Sequence, residues 1–153
     1  MKHHATATVD VRKWDRKLYD RMEGGPALSR VSFVHAFAGD IQPEGTLEYL
    51  MAICEGGATN LVGMERVLGR LGDREGGFVL QHGGTFDHGL ATVTWVVVPG
   101  PGTDELRGLR GRGGFTSEHV TRFEVALDSD LEGLRCRRQQ GGADVRRRYD
   151  PVG

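Results

Sequence analysis

From Ala7 to Leu127 the chain consists of short runs in which apolar residues recur at alternate positions, divided by glycine-rich or polar turns, and little repeats at helical spacing. That pattern restricts it to all-β architectures. Strands are expected near 7–11, 29–39, 46–54, 60–71, 77–86, 90–98, 111–116 and 121–127. The stretch from Trp14 to Ala27, with Gly24-Gly25-Pro26, reads as an irregular crossing. Thr103 to Leu109, following Pro99-Gly100-Pro101-Gly102, reads as a short helical turn capped by Thr103 or Asp104. An open meander would leave two edges exposed, so the expected fold is a small closed antiparallel up-and-down barrel of about eight strands. Glycines such as Gly39, Gly63, Gly69, Gly83, Gly84 and Gly113 suit the bends and close approaches of a tight barrel. A phosphate-cradling loop at Gly108 to Gly114 is rejected, because no helix pattern follows it.

At 153 residues and 38% hydrophobic content the chain supplies one core, and the barrel domain is expected over residues 5–131. Residues 132–153 read as an arginine-rich disordered tail. From Leu134 onward six arginines face two aspartates, a balance of +4 that leaves −5 for the remainder of a chain of net charge −1. Gln139-Gln140-Gly141-Gly142 interrupts this basic stretch and almost nothing in it is apolar, which favours a solvated extension over a nucleic-acid contact. No apolar run approaches the roughly 20 residues of a membrane span, and the start lacks the apolar stretch of a signal peptide. A cytoplasmic protein without membrane partners is expected. Cys54 and Cys136 stand apart with no CxxC spacing, so neither a disulfide framework nor a zinc site is suggested.

Hairpin geometry then locates a candidate site. A two-residue turn at Gly56-Gly57 would set Glu48 opposite Glu65, one at Asp73-Arg74 would set Glu65 opposite His82, and one at His88-Gly89 would set His82 opposite Trp95. Cross-strand neighbours lie roughly 5 Å apart, so the expectation is a continuous acid–acid–imidazole–indole strip on one face. By the same registers that face also carries Leu50, Leu61, Val67, Leu80, Phe86, Val93 and Val97, with Phe33 and with His35 or Phe37 joining from the second strand. The opposite face holds Val34, Leu47, Tyr49, Met51, Val62, Met64 and Val79 beside Arg66 and Gln81. Strands that are apolar on both sides require cover on both, and a homodimer or higher homo-oligomer is expected to supply it.

Several motifs in these strands resemble a bacterial family. Gly45-Thr-Leu-Glu-Tyr-Leu50, Gly63-Met-Glu-Arg-Val67, Gly77-Phe-Val-Leu-Gln-His-Gly-Gly-Thr-Phe86 and Leu106 to Phe115 occur in order and are similar to domain-of-unknown-function family thirty-two twenty-four over about Ala5 to Asp130. The resemblance implies an allene-oxide-cyclase-like barrel, often self-associated, and no settled activity. Barrels of that shape include cyclases that bind oily substrates inside, which is analogy at the level of fold. The arginine-rich end departs from the family's pattern.

Two adjacent interior carboxylates cannot both ionise cheaply, so one of Glu48 and Glu65 would keep its proton and the pair would titrate together. In an enzymatic reading Glu48, Glu65 and His82 are catalytic, with Glu65 and His82 as the acid–base pair and Glu48 tuning them. Phe33, His35, Phe37, Leu50, Leu80 and Trp95 would then shape the site for a small apolar ligand. The reaction would be isomerisation or cyclisation, with no cofactor. A metal reading through Glu48, Glu65, His82 and His35 is set aside because no HxH or HxxxH spacing supports it. Against all of this stands a plainer possibility: a Glu–His pair inside a barrel also serves as a satisfied network that holds strand register. Three classes therefore stay open, namely a ligand-binding barrel, a cofactor-free isomerase or cyclase, and an oligomeric scaffold whose core is plugged by residues such as Phe123 and Leu127.

Overall fold

The computed structural model describes residues 2–131 of the 153. The segment expected to be a disordered tail, 132–153, lies outside the described residues. Eight strands follow in order: β1 (Lys2–Asp20), β2 (Ala27–Gly39), β3 (Ile41–Ile53), β4 (Thr59–Leu71), β5 (Arg74–Asp87), β6 (Leu90–Val97), β7 (Leu109–Ser117) and β8 (Arg122–Leu131). Each pairs antiparallel with the next, and β8 returns to β1 from Lys2↔Asp130 to Asp10↔Arg122, closing the barrel. The all-β closed barrel expected from alternation is the fold that forms. Among the described residues, no helix is long and apolar enough to cross a membrane.

Alternation sets the inside and outside of each strand, as β6 illustrates: Ala91, Val93, Trp95 and Val97 are buried while Leu90, Thr92, Thr94 and Val96 are exposed. The turn before it, His88-Gly89, has positive φ at both residues (52° and 78°), the geometry that matches the right-handed twist of the flanking strands. The stretch expected to be irregular after Trp14 is instead strand. β1 continues to Asp20 against β2, with register shifts between Val11 and Lys13 and between Leu18 and Asp20. The first shift moves the inward side of β1 from Val9 and Val11 to Trp14 and Arg16, and this break in period two hides the strand from sequence reading. Past Asp10, β1 has no β8 partner, so β1 and β2 rise as a wall on one side of the barrel mouth.

The two ends differ. At one, the β2–β3 and β4–β5 corners meet through Gly72 N–H donating to the Asp40 carbonyl at 2.7 Å, and the β6–β7 connection crosses with a 3₁₀ turn (Asp104–Leu106). Leu106 is fully buried there in one cluster with Ile41, Leu71, Phe78 and Leu109. Thr103 precedes this turn but makes no side-chain cap; its Oγ1 accepts from Gly77 N–H at 2.9 Å and its N–H donates to the Gly77 carbonyl at 3.0 Å. The other end is open. Leu106→Ala should empty the plug and destabilise the barrel by about 2–4 kcal/mol, seen in urea titration as a lower midpoint at unchanged slope.

Candidate functional site

Four adjacent strands converge on one buried carboxylate. Glu65 on β4 is fully buried; its Oε2 lies 3.0 Å from His35 Nδ1 on β2, and its Oε1 lies 2.9 Å from His82 Nε2 on β5. Tyr49 on β3 completes the chain, its hydroxyl 2.8 Å from His82 Nδ1. Two glycines permit these reaches. Gly45 stands opposite His35 on β3, and a Cβ there would collide with the Glu65 carboxylate and the Phe37 ring. Gly63 stands between Tyr49 and His82 in the ladder, and a Cβ there would collide with the Tyr49 ring. Each missing side chain leaves a passage through which a neighbour crosses a strand to its partner.

Electrostatics follow from the contacts. Burial pushes the Glu65 carboxyl up, but hydrogen bonds from His35 and His82 and their favourable electrostatics outweigh it and bring the group down to about 2. Glu65 is therefore an anion at neutral pH and only accepts hydrogen bonds, so His35 Nδ1 and His82 Nε2 both donate to it. Burial, and then the Glu65 charge, push the Tyr49 hydroxyl upward, so it stays protonated. In the neutral imidazole His82 Nδ1 is an acceptor, and Tyr49 O–H donates to it. Every polar hydrogen of this chain of four then has an acceptor.

Above the network lies a cavity of about 470 Å³ that opens at the barrel mouth. His35 and Tyr49 form its polar floor, while Phe33, Met51, Phe115 and Phe123 contribute apolar walls. Phe115 and Phe123 stack with centroids 4.3 Å apart. Glu65 and His82 lie beneath the floor, with Trp95 beside His82 at 5.6 Å between ring centroids. Leu80 and Phe37 are buried in the core, Phe37 with its ring edge-on to His35, and neither lines the cavity. Phe123, considered above as a plug, is a wall instead, while Leu127 is fully buried.

Two residues of the expected inner face, one of them from the strip, are elsewhere. Glu48 and Leu50 face the outer surface: Glu48 accepts hydrogen bonds from Arg30 Nε at 2.8 Å and Ser32 Oγ at 3.2 Å, and Leu50 is 48% exposed. The Arg30 hydrogen bond holds the Glu48 carboxyl below its ordinary value. The cause is the β3–β4 connection, which is not a two-residue turn: Ile53 pairs with Thr59 around a five-residue loop, closed by Cys54 N–H donating to the Ala58 carbonyl. An odd loop shifts the register by one and exchanges the faces of β3. Leu47 thus opposes Glu65, and Tyr49 turns inward. The acid–acid pair does not form. Glu65 and His82 remain on one face because the β4–β5 turn lies at Gly72-Asp73, one residue earlier than expected; Glu65 opposes Leu80, and His82 is its diagonal neighbour. His82 opposes Trp95 as expected. The sequence reading missed Tyr49, although Thr46 and Glu48 alternating with Leu47, Tyr49 and Met51 signal the true inward face.

Residues 5–128 match a family model described as a protein of unknown function, DUF3224. A crystal structure of a protein with unknown function from the DUF3224 family of Shewanella oneidensis MR-1, at 1.84 Å resolution, is 29% identical, with a TM-score of 0.73 over 87% of this chain and 100% of that one. No curated protein matches the chain.

The lowered Glu65 group yields a pH prediction. Its contribution to stability is complete above the ordinary value of 4.5 and is lost as pH falls through about 2. Urea unfolding at a series of pH values should show the difference between the wild type and Glu65→Gln shrinking across that window by about 3 kcal/mol. A difference that stays constant with pH would contradict an ionised Glu65.

Proposed function

The chain belongs to the DUF3224 family, and from that premise we propose that it holds one small apolar molecule inside its barrel. The observation that supports this reading is the cavity: about 470 Å³, walled by apolar side chains, open at one end and carrying a small polar floor of His35 and Tyr49. Volumes of this order and linings of this kind characterise small-molecule sites. The cup also suits the allene-oxide-cyclase-like kinship read from the motifs, which belongs to the same proposal. Cys54, a free and exposed thiol, fits a reducing compartment such as the cytoplasm.

His35 favours a second reading, catalysis without a cofactor. Its Nδ1 is held by an anion while the residue faces the cavity, the arrangement of an oriented general base. In that case Glu65→Gln would abolish turnover while ligand affinity persisted. Binding is the reading the geometry supports best, because it needs only the cavity.

The outer face supports self-association. Leu50 pairs with Val62, Met64 follows on the same side of β4, and all three are about half exposed. A second copy of the chain is the proposed cover, in keeping with apolar stripes that are otherwise costly in water. Sedimentation velocity should show the wild type as a dimer or larger and Val62→Lys/Met64→Glu as a monomer; a monomeric wild type would remove the proposal.

Binding is tested with Nile red, a neutral apolar fluorophore, and with Met51→Trp, which narrows the cavity from its wall. The wild type should enhance the dye's emission saturably, and the variant should weaken affinity by at least about tenfold. Equal affinity in a folded variant would place the dye outside the cup.

A further inference from the structure

The polar atoms on the cavity floor are of one kind. Because Glu65 accepts from His35 Nδ1, the neutral form of the His35 ring is the tautomer with its lone pair on Nε2. That nitrogen makes no hydrogen bond among the described residues, and it does not belong with the buried side-chain atoms lacking a partner, which are Ser29 Oγ and Trp95 Nε1. It is therefore accessible from the cavity that His35 lines. The other polar residue of the floor, Tyr49, has its hydroxyl proton committed to His82 Nδ1 and so has none to give the cavity. The floor accepts hydrogen bonds and has no free proton to give.

This one-sidedness selects among ligands. On the floor a carboxylate or other anion would meet the His35 Nε2 acceptor with the buried Glu65 charge behind it and no proton from Tyr49; of the other polar lining residues, the Thr59 hydroxyl donates to the Gly57 carbonyl, and Arg16, His119 and Thr121 are exposed. Arg16 lies at the mouth on the raised part of β1, so any acidic group is drawn outward, away from the floor. A primary ammonium would be attracted by the Glu65 charge, but it brings three donors to the single His35 Nε2 lone pair and would leave N–H groups desolvated and unpaired among the apolar walls. A neutral hydroxyl brings one donor and suits the floor. The walls nearest it are aromatic: Phe33 and Phe123 lie 5.7 and 6.1 Å from the His35 ring, and Phe115 stacks on Phe123. Flat faces and ring edges favour a planar ring in the ligand.

We infer that the cup is a site for neutral phenols, apolar aromatic molecules bound with one hydroxyl donating to His35 Nε2. This inference rests on the reading of the barrel as an apolar binding cup.

The experiment is calorimetric titration of the full chain with three matched probes: 4-butylphenol, butylbenzene and 4-butylbenzoate. A hydrogen bond gained on the floor should make the phenol about tenfold tighter than butylbenzene, with the benzoate weakest. In His35→Phe the phenol and butylbenzene should bind alike. Nitrogen-15 NMR of the wild type reads the same contact without a variant: the His35 Nε2 resonance should shift with the phenol and stay in place with butylbenzene. Equal affinity for phenol and butylbenzene in the wild type, tighter binding of the benzoate, or an unmoved Nε2 resonance under saturating phenol would overturn the inference while leaving the cup intact. If none of the three probes binds, the cup reading itself fails along with it.

Discussion

The buried carboxylate of Glu65 is the interaction on which the rest of the barrel interior depends. Taking a carboxylate out of water costs several kcal/mol, and here two charge-assisted hydrogen bonds from His35 and His82 offset that cost. The result is one anion tied to β2 and β5 from its own strand β4, with Tyr49 of β3 joined through His82. Four consecutive strands are thereby held at one level. A slip of any one of them by a residue would turn its partner outward and leave a buried charge or imidazole without a hydrogen bond, so the network discriminates between registers more strongly than apolar packing does.

The network also divides the barrel. Below it, Phe78, Leu80, Trp95, Leu106 and Leu127 are buried in one core cluster and the 3₁₀ turn covers that end. Above it, Val31, Phe33 and Phe123 line the cavity that opens at the mouth. The network is thus the base of the cavity as well as the roof of the core. Gly45 and Gly63 are as necessary to it as the polar residues, since without their missing side chains neither Glu65 nor Tyr49 reaches its partner.

The parts of this arrangement that were legible in the sequence are those that depend on period two and on local turn chemistry. His88-Gly89 demanded positive φ at both positions, and the pairing of His82 with Trp95 followed from it. Where the turn was longer, parity failed. The five-residue loop at Cys54 to Ala58 moved Glu48 and Leu50 outward and Tyr49 inward. Phe33 was expected on the face of Glu48 but opposes Leu47, so the pairing of β2 with β3 also differs by an odd step, and the two differences cancelled for β2. Phe33, His35 and Phe37 were therefore placed inside correctly, though by a compensated route.

Alternation of apolar and polar residues, with glycine and turn residues between the runs, determined by itself that this chain is all-β, that its strands close into an antiparallel barrel, and that Glu65 and His82 point inward. These properties are local: each depends on which side of a pleated strand a residue occupies. The tertiary structure alone decided that the second partner of Glu65 is His35 rather than Glu48, that Tyr49 completes the chain, and that the interior beyond the network is a cavity. Those outcomes depend on loop length, on strand stagger around a closed sheet and on the volume left after packing, which are properties of the whole barrel and have no period to be read along one strand.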